Sequence, residues 1–397
     1  MTQTHKIKVM FVDEAVTMGG SLVVLAALAK GLPDDKYDKI LVNALNTEDS
    51  QGSFHGIRSL TIRKLMNYVR VTHIQNLYYG RFHRLVIRAL TYLLTIVAFV
   101  CNIPYYVLLS FVFYKEKPDL VHINQSYDAL WLAILFRRRV IYHLHKPHPT
   151  LNVFRRLLFS RVYCFIAVSS YVKDTLPLPQ TSMVEVMHNP LKDMSCREPT
   201  YWRSKLGLGS ETKVVSLFGR LVRWKGHREF FNALQKVVAG SGAVIAVVVG
   251  GNEEYRDGYD TELKKHVQQL GIADYVVFTG HVQDVACLYE ISDIVVHTSI
   301  EPEAFGLVIV EAMSFGKPVI VSDLGAPKEI VDHGSGGFVV SPWDTEQLAE
   351  KILLLLKDRA MYQSFSGYNL NKAMKYELDA YVQKVDQLYA RVLNEAA

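Results

Sequence analysis

Two glutamates, Glu303 and Glu311, are the strongest candidates for chemistry in this sequence. The apolar residues 294–297 predict a strand ahead of Glu303. The next apolar run predicts a helix that begins near Ala304 or Phe305, with Glu311 two turns inside it. The free N–H groups and the dipole at the start of a helix favour an anion such as a phosphate, and carboxylates beside it could hold sugar hydroxyls. The alternative is that Glu303 only caps the helix and Glu311 forms a surface ion pair.

Two basic residues follow another predicted strand, at residues 214–218. Gly219 ends that strand, and Arg220 and Lys225 come after it. Because the carboxyl ends of parallel strands meet at one edge of a sheet, both side chains should lie beside the Glu303 loop. Guanidinium and ammonium groups there could neutralise a diphosphate leaving group without a metal. Basic residues in a loop are often only solvated, but the neighbouring anion site favours the functional interpretation.

The first half of the chain contains weaker candidates. Gly19 and Gly20 follow the first predicted strand, where the missing side chains would let a ligand approach the backbone. His143, His145 and His148 lie at the end of a later strand. A metal site would need acidic or cysteine ligands as well, and no matching cluster supports one. A single histidine that lines a cleft, His145, is the favoured interpretation, and no metal is expected.

Parallel sheets are needed to position these residues, and the rest of the sequence predicts them. Short β-rich runs alternate with helix-length amphipathic segments. The predicted strands are residues 7–12, 40–44, 120–124, 140–144 and 165–169 in the first half, and 214–218, 244–250, 276–279, 294–297 and 319–322 in the second. The 397 residues are too many for one core, and residues 189–212 form the best boundary. The sequence therefore predicts two doubly wound α/β units that face a cleft.

Composition excludes several classes of protein. Hydrophobic residues make up 50% and charged residues 21%, which excludes a disordered chain or a fibre. The net charge of +5 is unevenly distributed between the two halves of the sequence. The residues before Pro199 include 24 basic and 14 acidic ones (+10), and those from Pro199 onwards include 20 basic and 25 acidic ones (−5). Four separated cysteines predict reduced thiols rather than a disulfide framework. With no signal-peptide pattern at the N-terminus, a cytoplasmic protein is expected.

An uncharged segment, residues 89–114, is the main anomaly. Asn102 and Pro104 divide it into pieces too short to cross a bilayer as helices. We expect a broken helical hairpin, which either packs against the first sheet or dips into one leaflet. No acidic residue lies between Asp49 and Glu116, whereas eight basic residues do: Arg58, Arg63, Lys64, Arg70, Arg81, Arg84, Arg88 and Lys115. They favour an anionic membrane surface over nucleic acid, although a solvated face is also open.

Taken together, these motifs resemble those of glycosyltransferase family 4, the retaining nucleotide-sugar-dependent enzymes of GT-B fold. The resemblance covers nearly the whole chain. Its motifs are Gly19-Gly20, the run 117–122, His145, Asn189-Pro190, Gly219-Arg220, Lys225-Gly226, Glu303 with Glu311, and the run 316–320 with Gly325, Pro327 and Glu329. Ala304 departs from the pattern, since many members have glycine there, and its methyl group could restrict the donor sugar.

The resemblance also implies a role for each matching residue. In the donor site, Glu303 would hold sugar hydroxyls, Glu311 the ribose, and Arg220 and Lys225 the diphosphate. The rest of the phosphate cradle would come from Gly219, the backbone amides of Phe305, Gly306 and Leu307, and Gly20 of the opposite domain. His145 would face the transferred sugar. Transfer would retain the anomeric configuration and require neither a metal nor another cofactor.

These observations predict a membrane-associated glycosyltransferase with two Rossmann-like domains. Residues 1–192 would bind the acceptor and the membrane, residues 193–375 the nucleotide sugar, and the helix of residues 376–397 would cross back to the first domain. The acceptor would be lipid-linked or a cell-envelope glycan at the cytoplasmic face, as in polysaccharide or lipopolysaccharide biosynthesis. The alternatives are a nucleotide-sugar epimerase or hydrolase of the same fold and a non-catalytic membrane-bound scaffold.

Overall fold

The computed structural model describes residues 6–14, 20–44, 56–64, 93–124, 126–148, 150–178, 182–241, 244–251 and 257–394. The chain divides into two compact units. The first comprises Met1–Ala167, Leu176–Glu185 and Val382–Ala397, and the second comprises Val168–Thr175 and Val186–Tyr381. The predicted domains ended at residues 192 and 375. Residues 168–175 and 186–192 were predicted to belong to the first domain but belong to the second unit. Residues 376–381 were predicted as the start of the helix that crosses back, and they also belong to the second unit.

A seven-stranded sheet forms the centre of the first unit. Its strands are β1 (Ile7–Asp13), β2 (Tyr37–Asn43), β3 (Arg58–Thr61), β4 (Leu120–Asn124), β5 (Arg139–Leu144), β6 (Cys164–Ala167) and β7 (Val184–Val186). They lie in the order β3-β2-β1-β4-β5-β6-β7, and the neighbours from β3 to β6 are parallel. Every residue of β4 and β6 is buried, as expected for the interior of a parallel sheet.

The helices described in the first unit connect these strands. They are α1 (Gly20–Gly31), α2 (Leu93–Cys101), α3 (Ile103–Glu116), α4 (Tyr127–Leu135) and α5 (Val153–Phe159). The side chain of Ser126 accepts a hydrogen bond from the Ala129 N–H at 3.0 Å and so begins α4. Asn152 begins α5 in the same way, by accepting from the Arg155 N–H at 2.8 Å.

A six-stranded sheet forms the centre of the second unit. Its strands are β8 (Lys213–Phe218), β9 (Val244–Val249), β10 (Val276–Gly280), β11 (Ile294–His297), β12 (Val319–Ser322) and β13 (Gly337–Val340). They lie in the order β10-β9-β8-β11-β12-β13 and all neighbours are parallel. The two sheets confirm the predicted α/β class. All ten predicted strands are present, whereas β3, β7 and β13 were not predicted.

The helices described in the second unit surround that sheet. They are α6 (Ser170–Asp174), α7 (Pro199–Lys205), α8 (His227–Gly240), α9 (Tyr259–Gln269), α10 (Ala286–Ile291), α11 (Leu307–Ser314), α12 (Pro327–Ile330), α13 (Thr345–Lys357) and α14 (Arg359–Ala373). The fully buried Phe230 and Phe231 of α8 and Ile352 of α13 pack in its core. A final helix, α15 (Leu378–Asn394), begins in the second unit and continues in the first.

Most of α15 completes the core of the first unit. Val385, Leu388, Tyr389 and Val392 are fully buried there. An ion pair of 2.6 Å between Lys36 Nζ and an oxygen of Asp386 fixes the helix at the surface. Most of α15 therefore belongs to the same unit as β1 and α1.

The uncharged segment forms two helices rather than a hairpin. The break between α2 and α3 falls at Asn102, as predicted, but the bend is 51°, so the second helix does not fold back on the first. Within the described residues no single helix is long and apolar enough to cross a membrane, and this bent pair is the one combination that meets the criterion of length and composition.

One side of α3 is buried and the other is exposed. Tyr105, Leu109 and Phe113 pack inward, whereas Val107 and Phe111 are 60% and 59% exposed. We call the exposed apolar side chains of α2 and α3 the apolar face: Leu93, Ile96, Val97, Phe99, Val100, Ile103, Val107, Leu108, Phe111 and Tyr114. Exposed hydrophobic surface of this extent is unusual for a monomeric soluble protein and is typical of interaction sites.

Two of the predicted basic residues are neutralised within the first unit. Arg58 forms an ion pair of 2.7 Å with Glu116. Lys64, only 10% exposed, is paired with both Glu14 and Asp128. Four more of the eight lie outside the described residues: Arg70, Arg81, Arg84 and Arg88. The described part of the predicted patch is therefore less basic than the sequence suggests.

The prediction of four reduced thiols is wrong for one pair. Cys196 and Cys287 form a disulfide across 91 residues, which connects the segment ahead of α7 to α10. Cys101 and Cys164 are free. The pairing was missed because cysteines so far apart in sequence give no local signal, and only the packing of α7 against α10 brings them together.

Candidate functional site

The candidate site of the second unit lies at the carboxyl ends of β8 and β11, which are neighbours in the sheet. One loop, residues 219–226, leaves β8, and the other, residues 298–306, leaves β11. Parallel strands place both loops at the same edge, where ligands bind in open α/β sheets. The predicted meeting of Lys225 with Glu303 depends on this pairing.

Close backbone packing fixes the position of Lys225. Gly226 has a φ of 70°, and a Cβ atom there would lie only 1.9 Å from the carbonyl oxygen of Thr298. The Thr298 hydroxyl donates to the Gly226 carbonyl at 2.9 Å. The loop after β8 is thereby joined to the loop after β11, and only glycine fits at the junction.

Lys225 and Glu303 form an ion pair at this edge. Lys225 Nζ donates to Glu303 Oε2 at 2.5 Å, and the two side chains are 12% and 18% exposed. His297 Nε2 and the Ser299 hydroxyl each lie 3.3 Å from the same oxygen. Burial alone would raise the pKa of Glu303, but the Lys225 ammonium and the His297 hydrogen bond lower it well below its usual value. Glu303 is therefore a carboxylate at neutral pH.

The segment that carries Glu303 is extended rather than helical. Glu303 pairs with Gly325 as an isolated bridge, and its carbonyl accepts from the Ala326 N–H at 2.9 Å. Gly306 has a φ of 98° and precedes α11, which begins at Leu307. The helix was predicted to start two or three residues earlier. Glu303 thus lies before the helix, and Glu311 is one turn inside it rather than two.

Glu311 occupies an apolar setting within the same helix. The Tyr289 hydroxyl donates to Glu311 Oε2 at 2.7 Å, and the Tyr289 ring stacks on Phe218 with a centroid distance of 3.9 Å. Burial raises the pKa of Glu311, while the Tyr289 hydrogen bond and the charge of Lys192 oppose the rise. The hydrogen bond from Tyr289 therefore orients the Glu311 carboxyl group.

The remaining predicted residues of the second unit lie along the same two loops. Gly219 donates its N–H to the Val249 carbonyl at 2.9 Å, and Arg220 is exposed just after it. Phe305 is 3% exposed, with its ring 5.6 Å from that of His188, so only its backbone could contact a ligand. Leu307 is the first residue of α11 and presents an N–H without a helical acceptor.

Two predicted residues belong to the first unit. Gly20 is exposed and begins α1, while Gly19 lies outside the described residues. His145 follows β5, with its ring 4.0 Å from that of His143. Burial, with smaller effects of His122 and Lys146, lowers the pKa of His145 to about 3. The ring is therefore neutral at physiological pH.

No group of three histidine, cysteine or acidic residues is arranged to hold a metal ion in the part of the chain that the structure describes. His143 Nδ1 instead lies 3.2 Å from His122 Nε2.

One protein family matches most of the second unit. Residues 200–372 match the family described as "Glycosyl transferases group 1". This match supports a group 1 glycosyltransferase. The match extends from α7 almost to the end of α14, and so includes every site residue of the second unit.

Two curated relatives share moderate identity. The chain is 25% identical over 300 residues to N-acetyl-alpha-D-glucosaminyl L-malate synthase of Bacillus anthracis, covering 71% of this chain and 77% of that protein. It is 27% identical over 222 residues to the lipopolysaccharide core biosynthesis mannosyltransferase LpsB of Rhizobium meliloti, covering 55% of this chain and 63% of that protein.

Solved structures support the fold. Anabaena Alr3699/HepE, determined in complex with UDP and glucose, superposes with a TM-score of 0.78 at 22% identity, covering 97% of this chain and all of that one. The structural likeness confirms the predicted GT-B architecture of two Rossmann-like domains. At 22% identity, this likeness is evidence for a shared fold and for nothing further.

Three residues of the candidate site were missed from the sequence. His297 and Ser299 surround Glu303, and Tyr289 holds Glu311. His297 is the last residue of a correctly predicted strand, so the rule that strand ends carry site residues could have identified it. Tyr289 lies on α10, and nothing local in the sequence relates it to Glu311.

We expect Gly226→Ala to destabilise the protein much more than Gly271→Ala. The two glycines have nearly equal φ angles, 70° and 69°, but a Cβ atom at Gly271 would have no neighbour within 4 Å. The control should cost about 1 kcal/mol of unfolding free energy, from backbone strain alone. Gly226→Ala should cost about 3 kcal/mol or more, because the Thr298 carbonyl must move. Urea unfolding measures both, and equal losses would contradict the close-packing argument.

We also expect the stabilisation from Glu303 to depend on pH. Its folded-state pKa lies below the ordinary value of 4.5, so the stabilisation is present above that pH and is lost as the pH falls towards the folded value. Glu303→Gln should cost about 3 kcal/mol at pH 7 and less below pH 4.5. Glu346→Gln, at an 81% exposed partner of Lys236, should cost under about 0.5 kcal/mol. Urea unfolding from pH 4 to 7 tests this, and a pH-independent loss would overturn it.

Proposed function

We propose that the protein is a retaining, metal-independent glycosyltransferase. It transfers a sugar from a nucleoside diphosphate sugar to a lipid-linked or cell-envelope glycan acceptor at the cytoplasmic face of the membrane. The observation that carries the proposal is the ion pair between Lys225 and Glu303, placed just ahead of the N-terminus of α11. It brings together a cation for phosphate, a carboxylate for sugar hydroxyls and free backbone N–H groups.

The two units have separate functions in this proposal. The second unit, which contains the predicted donor domain 193–375, binds the donor, because the charged loops and the α11 N-terminus belong to it. The first unit, which contains most of the predicted acceptor domain 1–192, binds the acceptor and the membrane, since the apolar face and His145 belong to it. The HepE structure with UDP and glucose, and the sugar-transferring relatives, support the same donor class.

Each residue of the second unit has a role in donor binding. Glu303, held as a carboxylate, accepts hydrogen bonds from hydroxyls of the donor sugar. Lys225 and the exposed Arg220 neutralise the diphosphate, and the N–H of Leu307 contributes at the start of α11. Glu311, oriented by Tyr289, accepts from the ribose hydroxyls. Because Lys225 and Arg220 neutralise the diphosphate, donor binding does not require a metal ion.

Transfer with retention takes place on one face of the sugar. The bond from the anomeric carbon to the diphosphate oxygen breaks, and its electron pair leaves with the diphosphate, which the basic residues stabilise. The acceptor oxygen forms the new bond from the same face, and its proton passes to the departing phosphate oxygen. His145 is neutral and contacts the transferred sugar without taking that proton.

We expect Glu303→Gln to lower kcat about 100-fold or more, because the amide cannot replace the carboxylate at the sugar hydroxyls. Glu301→Gln is the matched control, since Glu301 is an exposed glutamate of the same loop and should leave turnover unchanged. Arg220→Ala and Lys225→Ala should weaken binding of the nucleotide sugar, seen as a loss of thermal stabilisation by the donor. Wild-type turnover in all three site variants would contradict the proposed site.

Product analysis separates transfer from the alternative chemistries. The transferase forms a glycosylated acceptor, a hydrolase releases free sugar, and an epimerase yields an isomeric nucleotide sugar. Free sugar as the sole product in the presence of acceptor would favour a hydrolase and contradict the proposal.

The apolar face supports an acceptor that resides in a membrane. Val107, Phe111 and their neighbours expose an uncharged surface on two successive helices. A second cluster lies on α5, where Val153 is 88% and Phe154 60% exposed beside Arg155 and Arg156. α3 packs against α4, and α4 against α5. Exposed apolar side chains next to arginines suit the interface of an anionic leaflet.

We expect Val107→Ser/Phe111→Ser to lower binding to anionic vesicles at least about tenfold, because two side chains no longer enter the leaflet. The matched control is Tyr201→Ser/Trp343→Ser, which alters side chains that are 53% and 61% exposed in the second unit. Sedimentation with phosphatidylglycerol vesicles measures the bound fraction. Equal binding of the two double variants would contradict the membrane assignment.

A further inference from the structure

Four aromatic side chains of the first unit form a buried series that ends at His145. The hydroxyl of Tyr389 lies 2.7 Å from His122 Nδ1. His122 Nε2 lies 3.2 Å from His143 Nδ1, and the tilted rings of His143 and His145 have centroids 4.0 Å apart. Tyr389, His122 and His143 are fully buried. We call these three residues the histidine chain.

The hydrogen bonds of the histidine chain have a preferred direction. A neutral imidazole nitrogen is a stronger acceptor than a phenol oxygen, so the Tyr389 hydroxyl donates to His122 Nδ1. The His122 proton is then on Nε2, from which it is donated to His143 Nδ1. His143 in turn carries its proton on Nε2. The tyrosine therefore selects one tautomer of each of the two histidines.

Burial keeps the histidine chain neutral. It lowers the pKa of His122 to about 3 and that of His143 well below its usual value, with a smaller effect of His145 and His122 on the latter. A neutral imidazole has one donor and one acceptor nitrogen, so its orientation depends on its hydrogen-bond partners rather than on an ion pair.

Tyr389 is itself held in place by its surroundings in the first unit. Its ring meets that of Tyr37 edge to face with a centroid distance of 6.0 Å. The Tyr37 hydroxyl donates to Asp386 at 2.5 Å, and Lys36 Nζ donates to the same carboxylate at 2.6 Å. Asp386 and Tyr389 both lie on α15, so residues of the last helix fix the start of the histidine chain.

We infer that the histidine chain positions His145 for sugar transfer, with Tyr389, His122 and His143 acting as positioning residues. This inference rests on the proposed function, in which His145 contacts the transferred sugar. The hydrogen bond from His122 fixes the orientation of the His143 ring, and this ring is the surface against which the His145 ring packs, with centroids 4.0 Å apart. Small displacements of a group that contacts the substrate lower the rate of the chemical step.

Tyr389→Phe removes one hydroxyl and keeps the buried ring. We expect kcat to fall about fivefold, the effect of one neutral hydrogen bond, while KM for the nucleotide sugar stays unchanged because the second unit binds it. The matched control is Tyr381→Phe on the same helix. Tyr381 is 4% exposed, and its hydroxyl has no hydrogen-bond partner among the described residues, so kcat should not change.

A double-mutant cycle separates positioning from a merely structural role. If Tyr389 acts through His145, Tyr389→Phe should have no further effect on kcat in a His145→Ala background. A full fivefold loss in that background would overturn the inference. So would equal losses in Tyr389→Phe and Tyr381→Phe.

Ring nitrogen spectroscopy tests the histidine chain without an activity assay. In protein labelled with ¹⁵N-histidine, Tyr389→Phe should shift the ring nitrogen signals of His122, His143 and His145, and Tyr381→Phe should not. Unchanged signals of His143 and His145 would overturn the inference. Failure of the unaltered protein to transfer sugar would contradict the proposed function instead, while shifted His145 signals would still support the positioning of that ring.

Discussion

The ion pair between Lys225 and Glu303 is the interaction on which the candidate site depends. Neither charge could be buried alone, because an isolated ammonium or carboxylate loses its hydration without compensation. Their meeting requires β8 and β11 to be adjacent and parallel, so that two loops far apart in sequence leave the sheet at the same edge. The contact between Gly226 and Thr298 then sets the distance between these loops. Sheet topology, backbone packing and charge therefore act on the same few residues.

Much of this arrangement could be predicted because it follows from local patterns. Continuous Val and Ile runs predict buried strands, and the residues just after those strands become site candidates, which is how Lys225 and Glu303 were found. The bridge from Glu303 to Gly325 could not be predicted, because it joins two loops whose path depends on the finished sheet. The start of α11 was misplaced for a related reason: the left-handed Gly306 delays the helix, although Ala304 and Phe305 just before it are not helix breakers. Tyr289, Cys196 and Cys287 were missed because their contacts arise from helix packing.

Charge counted along the sequence differs from charge presented by the folded protein. The first half carries an excess of ten positive charges, yet Arg58 and Lys64 are compensated by Glu116, Glu14 and Asp128 within the unit. Lys64 is nearly buried and could not contact a partner without breaking two ion pairs. The apolar face, by contrast, is retained in full, since the inward side of α3 already supplies the packing that the sheet needs. Hydrophobic exposure is thus the more distinctive property of this surface.

The contribution of α15 to the first unit has a consequence for the order in which the chain folds during synthesis. Val385, Leu388, Tyr389 and Val392 are fully buried in that unit, yet they leave the ribosome after every residue of the second unit. The second unit, whose residues end at Tyr381, has all of its core available earlier. Although domains usually fold from the N-terminus onwards, the first unit here lacks part of its core until residues 382–394 have been synthesised. The unit whose synthesis begins first is therefore the last that can be completed.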